Sequence, residues 1–195
     1  MAVGHRPVAI ATFAGVFAAV VALLGGVWLA RALDDSSPVD DEFVIDDSGV
    51  FAEPAAEVNP DTAGRRLPAV TLLDAAGRPV DLAVYRGAPL VVNFWFSRCA
   101  PCRRELRDFA TVHAEVGDRV QFVGVDPFDT VAVMEAFAAE RSVVYDLLRD
   151  DGDLSDALGI VGYPVTLFVD GDGMILRQTG EIDAETLRAT IAELF

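Results

Sequence analysis

The feature that most constrains this chain is a Cys-Ala-Pro-Cys tetrapeptide at residues 99–102, two residues after an apolar run from Val91 to Phe96. The run is rich in Val, Phe and Trp, which predicts a buried strand. After the tetrapeptide, apolar side chains recur at helical spacing from Leu106 to Val116. The sequence therefore predicts a strand, a short turn and a helix, with both cysteines where the helix begins.

A helix N-terminus gives these cysteines a chemistry. Unsatisfied backbone N–H groups and the helix dipole favour an anion there, so we expect a stabilised thiolate at Cys99. Pro101 suits the first helical turn, where no N–H is needed. Cys99 and Cys102 are separated by only two residues, so their sulfurs can form and open a disulfide. The pattern predicts a redox-active dithiol.

Other roles for a cysteine pair fit less well. A structural zinc site needs four ligands, and the chain offers two cysteines and two histidines, His5 and His113. A c-type haem site needs histidine directly after the second cysteine, where Arg103 stands. A purely structural disulfide closing so short a loop restrains the unfolded chain little. We therefore predict no metal ligands.

Charge limits the partners of the chain. The 195 residues carry a net charge of -16, which argues against nucleic acid and anionic lipid surfaces as partners. Both cysteines lie in the tetrapeptide, so the chain has no cysteines for a structural disulfide framework.

The first 63 residues predict an anchor and a spacer. The run from Val8 to Ala30 carries no charge and spans roughly 34 Å as a helix, enough to cross a bilayer. A cleavable signal peptide is the alternative, but its apolar region is usually about 7–15 residues. We favour an uncleaved transmembrane anchor over 1–33, which places the rest outside the cytoplasm. Residues 34–63 form an acidic, proline-containing linker.

Residues 64–195 predict one α/β domain, because strands and helices alternate before a closing hairpin and helix. On the predicted helix 130–140, the inward side chains are Val133, Met134, Phe137 and Ala138. The predicted strands are 67–73, 80–82, 91–96, 120–125, 143–148, 164–169 with its proline at the start, and 174–178. The other predicted helices follow Pro101, cover 153–158 and begin at 182–183.

Two motifs together resemble a known family. Residues 93–105 read Asn-Phe-Trp-x-Ser-x-Cys-x-Pro-Cys-Arg-x-Glu, and residues 162–166 read Gly-x-Pro-x-Thr before a strand that ends in Asp-x-x-Gly. This combination resembles the TlpA/ResA-like proteins, which are membrane-tethered, extracytoplasmic thiol-disulfide oxidoreductases. The resemblance covers about residues 65–195, and the anchor and spacer are similar to the family layout.

The resemblance implies a thioredoxin fold, a central mixed sheet flanked by helices, with an N-terminal hairpin. It implies that Cys99 is the exposed nucleophile and Cys102 the buried resolving thiol. It also implies a cis peptide between Tyr163 and Pro164 that faces the cysteines and exposes backbone to a partner peptide. The family needs no cofactor beyond the Cys99–Cys102 disulfide.

The resemblance also assigns the proton transfer. Thioredoxins carry a buried Asp six residues before the first cysteine, where this chain has Asn93, which cannot act as a base. Glu105 matches the family's active-site Glu and lies on the same helix face as Cys102. We expect it to accept the Cys102 proton during resolution. The alternative is a solvated helix glutamate.

The chain departs from the family at two positions. Arg98 replaces the usual Trp before the first cysteine, and Arg107 replaces a Pro in the following helix. A cation beside Cys99 is expected to lower the pKa of the thiol and make the disulfide more oxidising. The alternative is an arginine that faces solvent with little effect. His113 lies on the apolar helix face, where we expect packing rather than catalysis.

These observations predict a membrane-tethered oxidoreductase that reduces disulfides in extracytoplasmic proteins, such as apocytochrome c before haem attachment. Its partners are cysteine-containing proteins and a membrane electron donor or acceptor. One alternative is an oxidase that donates its disulfide. Another is a tethered chaperone that presents Cu(I) or an apoprotein on two thiols. A peroxidase is disfavoured, because its nucleophilic cysteine normally follows a Pro-x-x-x-Thr run and the residues before Cys99, Ser97 and Arg98, do not match that run.

Overall fold

The computed structural model describes residues 58–195, so the predicted anchor and most of the predicted linker lie outside the described part. Within 58–195, no helix is both long and apolar enough to cross a membrane. The strands are β1 (Thr71–Asp74), β2 (Pro79–Asp81), β3 (Leu90–Phe94), β4 (Gln121–Asp126), β5 (Asp146–Arg149), β6 (Val165–Val169) and β7 (Ile175–Thr179). The helices are α1 (Ala100–Val116), α2 (Val131–Ala139), α3 (Asp153–Leu158) and α4 (Ala184–Leu194), with a 3-10 turn at Leu82–Tyr85.

The strands form one mixed sheet in the order β2-β1-β5-β4-β3-β6-β7. β3, β4 and β5 are parallel neighbours, and the other neighbouring pairs are antiparallel. The β1–β2 hairpin confirms the predicted N-terminal extension. Its turn is held by Asp74, whose Oδ1 accepts hydrogen bonds from the backbone N–H groups of Ala76 and Arg78. The mixed sheet confirms the thioredoxin fold.

Side-chain alternation along β3 divides the core between the two faces of the sheet. Val91 and Trp95 pack with α1, α2 and α4 on one face. Val92 and Phe94 pack with α3 on the other. Trp95 is fully buried, because it lies between the sheet and the helices that follow it.

Several local predictions differ from the structure: the strand predicted at 143–148 is observed at Asp146–Arg149, and the last helix begins at Ala184. The first strand begins at Thr71 rather than residue 67, since Pro68 has no N–H for a ladder bond. Leu67 is nevertheless buried, and its N–H donates to the Gly173 carbonyl. The prediction that Val133 faces inward is wrong: it is 43% exposed. Met134 and Phe137 face the core, and Val133 precedes Met134 by about 100° around the helix.

The topology brings four loops to one edge of the sheet. β3, β4 and β5 are parallel, so their carboxyl ends lie together, and β6 starts at that edge because it runs antiparallel to β3. Phe94 pairs with Val125 on one side and with Val165 on the other. The loops that follow β3, β4 and β5 and the loop that precedes β6 therefore meet beside the cysteines.

Candidate active site

The two cysteines form a disulfide at the start of α1. Their sulfurs are 1.99 Å apart. Cys99 is the residue that caps the helix, and its Sγ accepts a hydrogen bond from the Cys102 N–H at 3.2 Å. Pro101 lies in the first turn, where a missing N–H costs no helical bond. A thiolate at Cys99 therefore faces an N–H donor and the positive end of the helix dipole.

The structure corrects the expected exposure of Cys99. The resemblance implied an exposed nucleophile, but Cys99 is 2% exposed and Cys102 is fully buried. Both pack in the same cluster as Trp95 and Leu106. Cys99 is covered in the disulfide form because its sulfur turns toward the first turn of α1 and bonds to Cys102. Arg98, just before it, is exposed.

The Tyr163–Pro164 peptide bond is cis, as the resemblance implied. Pro164 is buried and directly precedes β6, whose first residue, Val165, pairs with Phe94. The cis bond thus lies at the edge of the sheet where the β3 loop leads to Cys99. Its backbone role toward a partner peptide remains a prediction.

Glu105 is buried beneath the disulfide, which excludes a solvated glutamate. It lies three residues after Cys102 on α1 and is 2% exposed. Its Oε1 accepts a hydrogen bond from Asn93 Nδ2 at 2.9 Å, and its Oε2 accepts one from the Ile182 N–H at 3.1 Å. Asn93 Nδ2 also donates to Thr166 Oγ1 at 3.1 Å. The carboxyl therefore links α1, β3 and the segment before α4.

Burial raises the pKa of Glu105 to about 8, and the hydrogen bonds from Asn93 and Ile182 offset only part of that effect. A carboxyl with a pKa in this range can both accept and release a proton near neutral pH, as general acid–base catalysis requires. The three-residue spacing brings the two side chains to one face of α1.

Two aromatic neighbours complete this buried region. Tyr145 has a buried hydroxyl, and burial followed by the charge of Glu105 raises its pKa. The His113 ring contacts Phe122 and Tyr145 edge to face, with centroids 5.2 Å and 5.3 Å away. Burial lowers the pKa of His113. His113 is half-buried and packs against this aromatic region, as expected, and Tyr145 was not found from the sequence.

Two acidic residues, Asp126 at the end of β4 and Asp129 just after it, were missed in the sequence and hold the loop before Cys99. Asp129 Oδ2 accepts from the Ser97 N–H at 2.6 Å, and its Oδ1 accepts from Ser97 Oγ at 3.0 Å. Asp126 Oδ1 accepts from the N–H groups of Phe128 and Asp129, both at 2.9 Å. Burial and the neighbouring Asp129 raise the pKa of Asp126 to about 7, although the two backbone hydrogen bonds lower it. Acidic residues directly after a buried parallel strand were the available signal.

Replacing Asp129 with alanine is expected to destabilise the oxidised chain by about 1.5 to 3 kcal/mol, because a charged hydrogen-bond acceptor is lost and the Ser97 N–H is left without its partner. Urea unfolding of the full chain measures this. Ser97→Ala is the control, since it loses only the hydroxyl bond and should cost about 1 kcal/mol. Equal stability of Asp129→Ala and the parent chain would show that Asp129 does not hold this loop.

A disulfide at a helix N-terminus, beside a cis-proline and above a buried carboxyl, defines a thiol-disulfide oxidoreductase of the thioredoxin-like type. Residues 63–179 match the AhpC/TSA family, and the chain belongs to that family. Its relatives include HelX, a thiol:disulfide interchange protein of Rhodobacter capsulatus, which is 34% identical over 68% of this chain and 76% of its own. DsbE of Pseudomonas fluorescens is 34% identical over 74% of this chain and 81% of its own. ResA of Bacillus thuringiensis is 21% identical over 67% of this chain and 78% of its own. These relatives confirm the TlpA/ResA-like resemblance.

Solved structures agree with the fold. A secreted disulfide oxidoreductase of Mycobacterium tuberculosis, homologous to E. coli DsbE, superposes with a TM-score of 0.58. It is 26% identical and covers 65% of this chain and 96% of its own. The thioredoxin domain of a thiol-disulfide oxidoreductase from Bacteroides vulgatus superposes with a TM-score of 0.61. It is 25% identical and covers 67% of this chain and 96% of its own.

Proposed function

We propose that this chain reduces disulfides in extracytoplasmic proteins, with Cys99 as the attacking thiolate and Cys102 as the resolving thiol. The observation that carries this is the Cys99–Cys102 disulfide at the start of α1, above the buried Glu105. The Cys99 thiolate attacks a partner disulfide and releases one partner sulfur as a thiolate. Cys102 then attacks Cys99 in the mixed disulfide, which frees the reduced partner and oxidises the chain.

Glu105 takes the Cys102 proton in the second step and returns it when the chain is reduced again. Its raised pKa suits both directions, because the carboxyl is neither permanently charged nor permanently neutral near pH 8. The backbone at Tyr163 and Pro164 holds the partner strand beside Cys99. Electrons come from a membrane donor, and the N-terminal 33 residues anchor the chain with its domain outside the cytoplasm. No cofactor beyond the disulfide and no metal takes part.

The substrate we propose is the cysteine pair of an apocytochrome c before haem attachment. The TlpA/ResA-like resemblance supports this role, and the Mycobacterium relative, described as secreted, supports an extracytoplasmic location. The oxidase alternative is favoured by one observation: Arg98 is an exposed cation next to Cys99. A cation there stabilises the reduced thiolate and makes the disulfide a stronger oxidant.

The reduction potential of the full chain tests the direction of transfer. The chain is equilibrated in dithiol buffers and its free thiols are trapped and counted. A value of about -270 mV or lower, as in thioredoxin, supports the reductase. A value near roughly -120 mV, as in DsbA, means that the chain donates disulfides. If no couple forms between Cys99 and Cys102, the redox function fails and a Cu(I)-binding or apoprotein-binding module remains.

Replacing Arg98 with glutamine is expected to lower the reduction potential, because the reduced thiolate loses a nearby cation. The charge is exposed and screened, so we expect a change on the order of 10 mV. The same titration of the full chain measures it. Arg119→Gln, an exposed arginine beyond the far end of α1, is the control and should leave the potential unchanged. Equal potentials for Arg98→Gln and the parent chain would mean that Arg98 only faces solvent.

A further inference from the structure

Three aromatic side chains form a partly exposed cluster at the active-site edge. The centroid of Phe96 is 5.0 Å from that of Phe128 and 5.6 Å from that of Tyr163, and Phe128 and Tyr163 are 5.4 Å apart. Phe96 lies on the loop to Cys99, whose N–H donates to the Phe96 carbonyl at 3.2 Å. Tyr163 precedes the cis-proline. Phe128 is 57% exposed, which leaves a large apolar surface in water next to the reacting sulfurs.

Two members of this cluster, Phe128 and Tyr163, line an open groove of about 460 Å³. The start of α3 also lines the groove, through Gly152, Ser155 and Asp156. Val161, at the same groove, is 73% exposed. Exposed aromatic and branched side chains beside a groove are the features that anchor a partner segment in protein interfaces.

The α3 side of the groove is acidic. Asp151 and Asp156 line it, and Asp153 lies on the same helix and is also exposed. Asp151 pairs with Arg149 at 2.6 Å, whereas Asp153 and Asp156 form no ion pair with any residue in 58–195. No arginine lines the groove. Apolar side chains that share a groove with Asp156, a carboxylate without an ion pair among residues 58–195, complement a segment that is both apolar and basic.

We propose that this groove binds a polypeptide segment in which an aromatic or branched apolar residue and a lysine or arginine lie near the reacting cysteine. The apolar residue packs on Phe128 and Val161, and the cation lies beside Asp156. The inference rests on the proposed oxidoreductase function, since it names the kind of protein presented to Cys99. It adds a source of selectivity on the α3 side of the disulfide.

The test measures how fast Cys99 forms a mixed disulfide with model peptides. The full chain carries Cys102→Ser, so that capture stops at this step. Two synthetic peptides share one cysteine and one tryptophan; one adds two arginines and the other two glutamates. Each cysteine is supplied as a mixed disulfide with thionitrobenzoate. Attack by the Cys99 thiolate forms the Cys99–peptide disulfide, breaks the peptide–thionitrobenzoate bond and releases coloured thionitrobenzoate; the Cys99 proton goes to solvent.

The mixed disulfide of thionitrobenzoate with mercaptoethanol serves as a small neutral probe that does not fill the groove. We expect the basic peptide to react about three to ten times faster than the acidic one, with the ratio falling at high salt. Phe128→Ala should slow both peptides at least threefold and leave the small probe unchanged. Asp156→Asn should reduce the ratio between the peptides.

Two variants away from the groove are the matched controls. Asp118→Asn removes an exposed carboxylate beyond the far end of α1, and Val144→Ala trims a side chain that is 80% exposed. Neither should change the rates. Equal rates for the two peptides, or an unaffected Phe128→Ala, would overturn the groove proposal. Failure of Cys99 to react even with the small probe would instead count against the oxidoreductase function. Reduced parent chain repeats the comparison without the Cys102→Ser substitution.

Discussion

Replacing Cys99 with serine is expected to abolish disulfide exchange. Serine at position 99 keeps an N-cap oxygen for α1 but provides no sulfur to attack a partner disulfide. The loss should reach the detection limit of an assay that follows reduction of a protein disulfide by the full chain. Full activity in Cys99→Ser would contradict the assignment of the nucleophile.

Replacing Cys102 with serine should have a different result. Cys99 still attacks, but nothing resolves the mixed disulfide, so covalent complexes with partner proteins should accumulate and run as larger bands on non-reducing gels. Ser97→Ala is a useful control because it alters the same loop and keeps both sulfurs. Complexes that form equally with Ser97→Ala and Cys102→Ser, or full turnover in Cys102→Ser, would exclude Cys102 as the resolving thiol.

The second large effect concerns Glu105 and pH. Its carboxyl has a pKa of about 8 in the folded chain, against an ordinary glutamate value of 4.5. Between these values the folded chain binds a proton that the unfolded chain does not, so the stabilising contribution is complete below about pH 4.5 and is lost as pH rises to 8. At about 1.4 kcal/mol for each pKa unit, the loss is on the order of 5 kcal/mol.

Urea unfolding of the oxidised full chain between pH 5 and pH 9 measures this loss. Glu105→Gln keeps an oxygen that can accept from Asn93 or Ile182 but does not titrate, so its stability should change less with pH. Asp126, whose pKa is also raised, titrates in both chains, so the difference between them isolates Glu105. Parallel curves would show that Glu105 is charged in the folded protein. Glu105→Gln should also slow resolution of mixed disulfides, and unchanged kinetics would remove Glu105 from catalysis.

The residues that the sequence located are those whose signal is local. The tetrapeptide, the helix after it and the apolar strand before it are adjacent in the chain, and their periodicities differ clearly. The hairpin at Asp74–Gly77 has its own turn residues. Glu105 was singled out because the TlpA/ResA-like resemblance assigns an active-site Glu to its position, three residues after Cys102 on the same helix.

The residues that the sequence did not reveal depend on strand register. Asp129 holds Ser97 only because β4 lies parallel to β3, and Phe128 meets Tyr163 only because β6 lies on the other side of β3. Nothing in the sequence around residue 128 states these neighbours. The burial of Cys99 likewise depends on how the turn packs after folding, which the resemblance did not convey.

Cys99 and Cys102 pack in the same buried cluster as Trp95, so the redox state of the two cysteines affects the packing of the core. Oxidised and reduced chains are then two folded species joined by a thermodynamic cycle with their unfolded forms. The difference between their unfolding free energies equals the shift that folding imposes on the potential, at about 1.4 kcal/mol for each 30 mV. Any core substitution near Trp95 that destabilises one species more than the other also changes the reduction potential. Denaturation curves of the oxidised and reduced forms therefore measure that change.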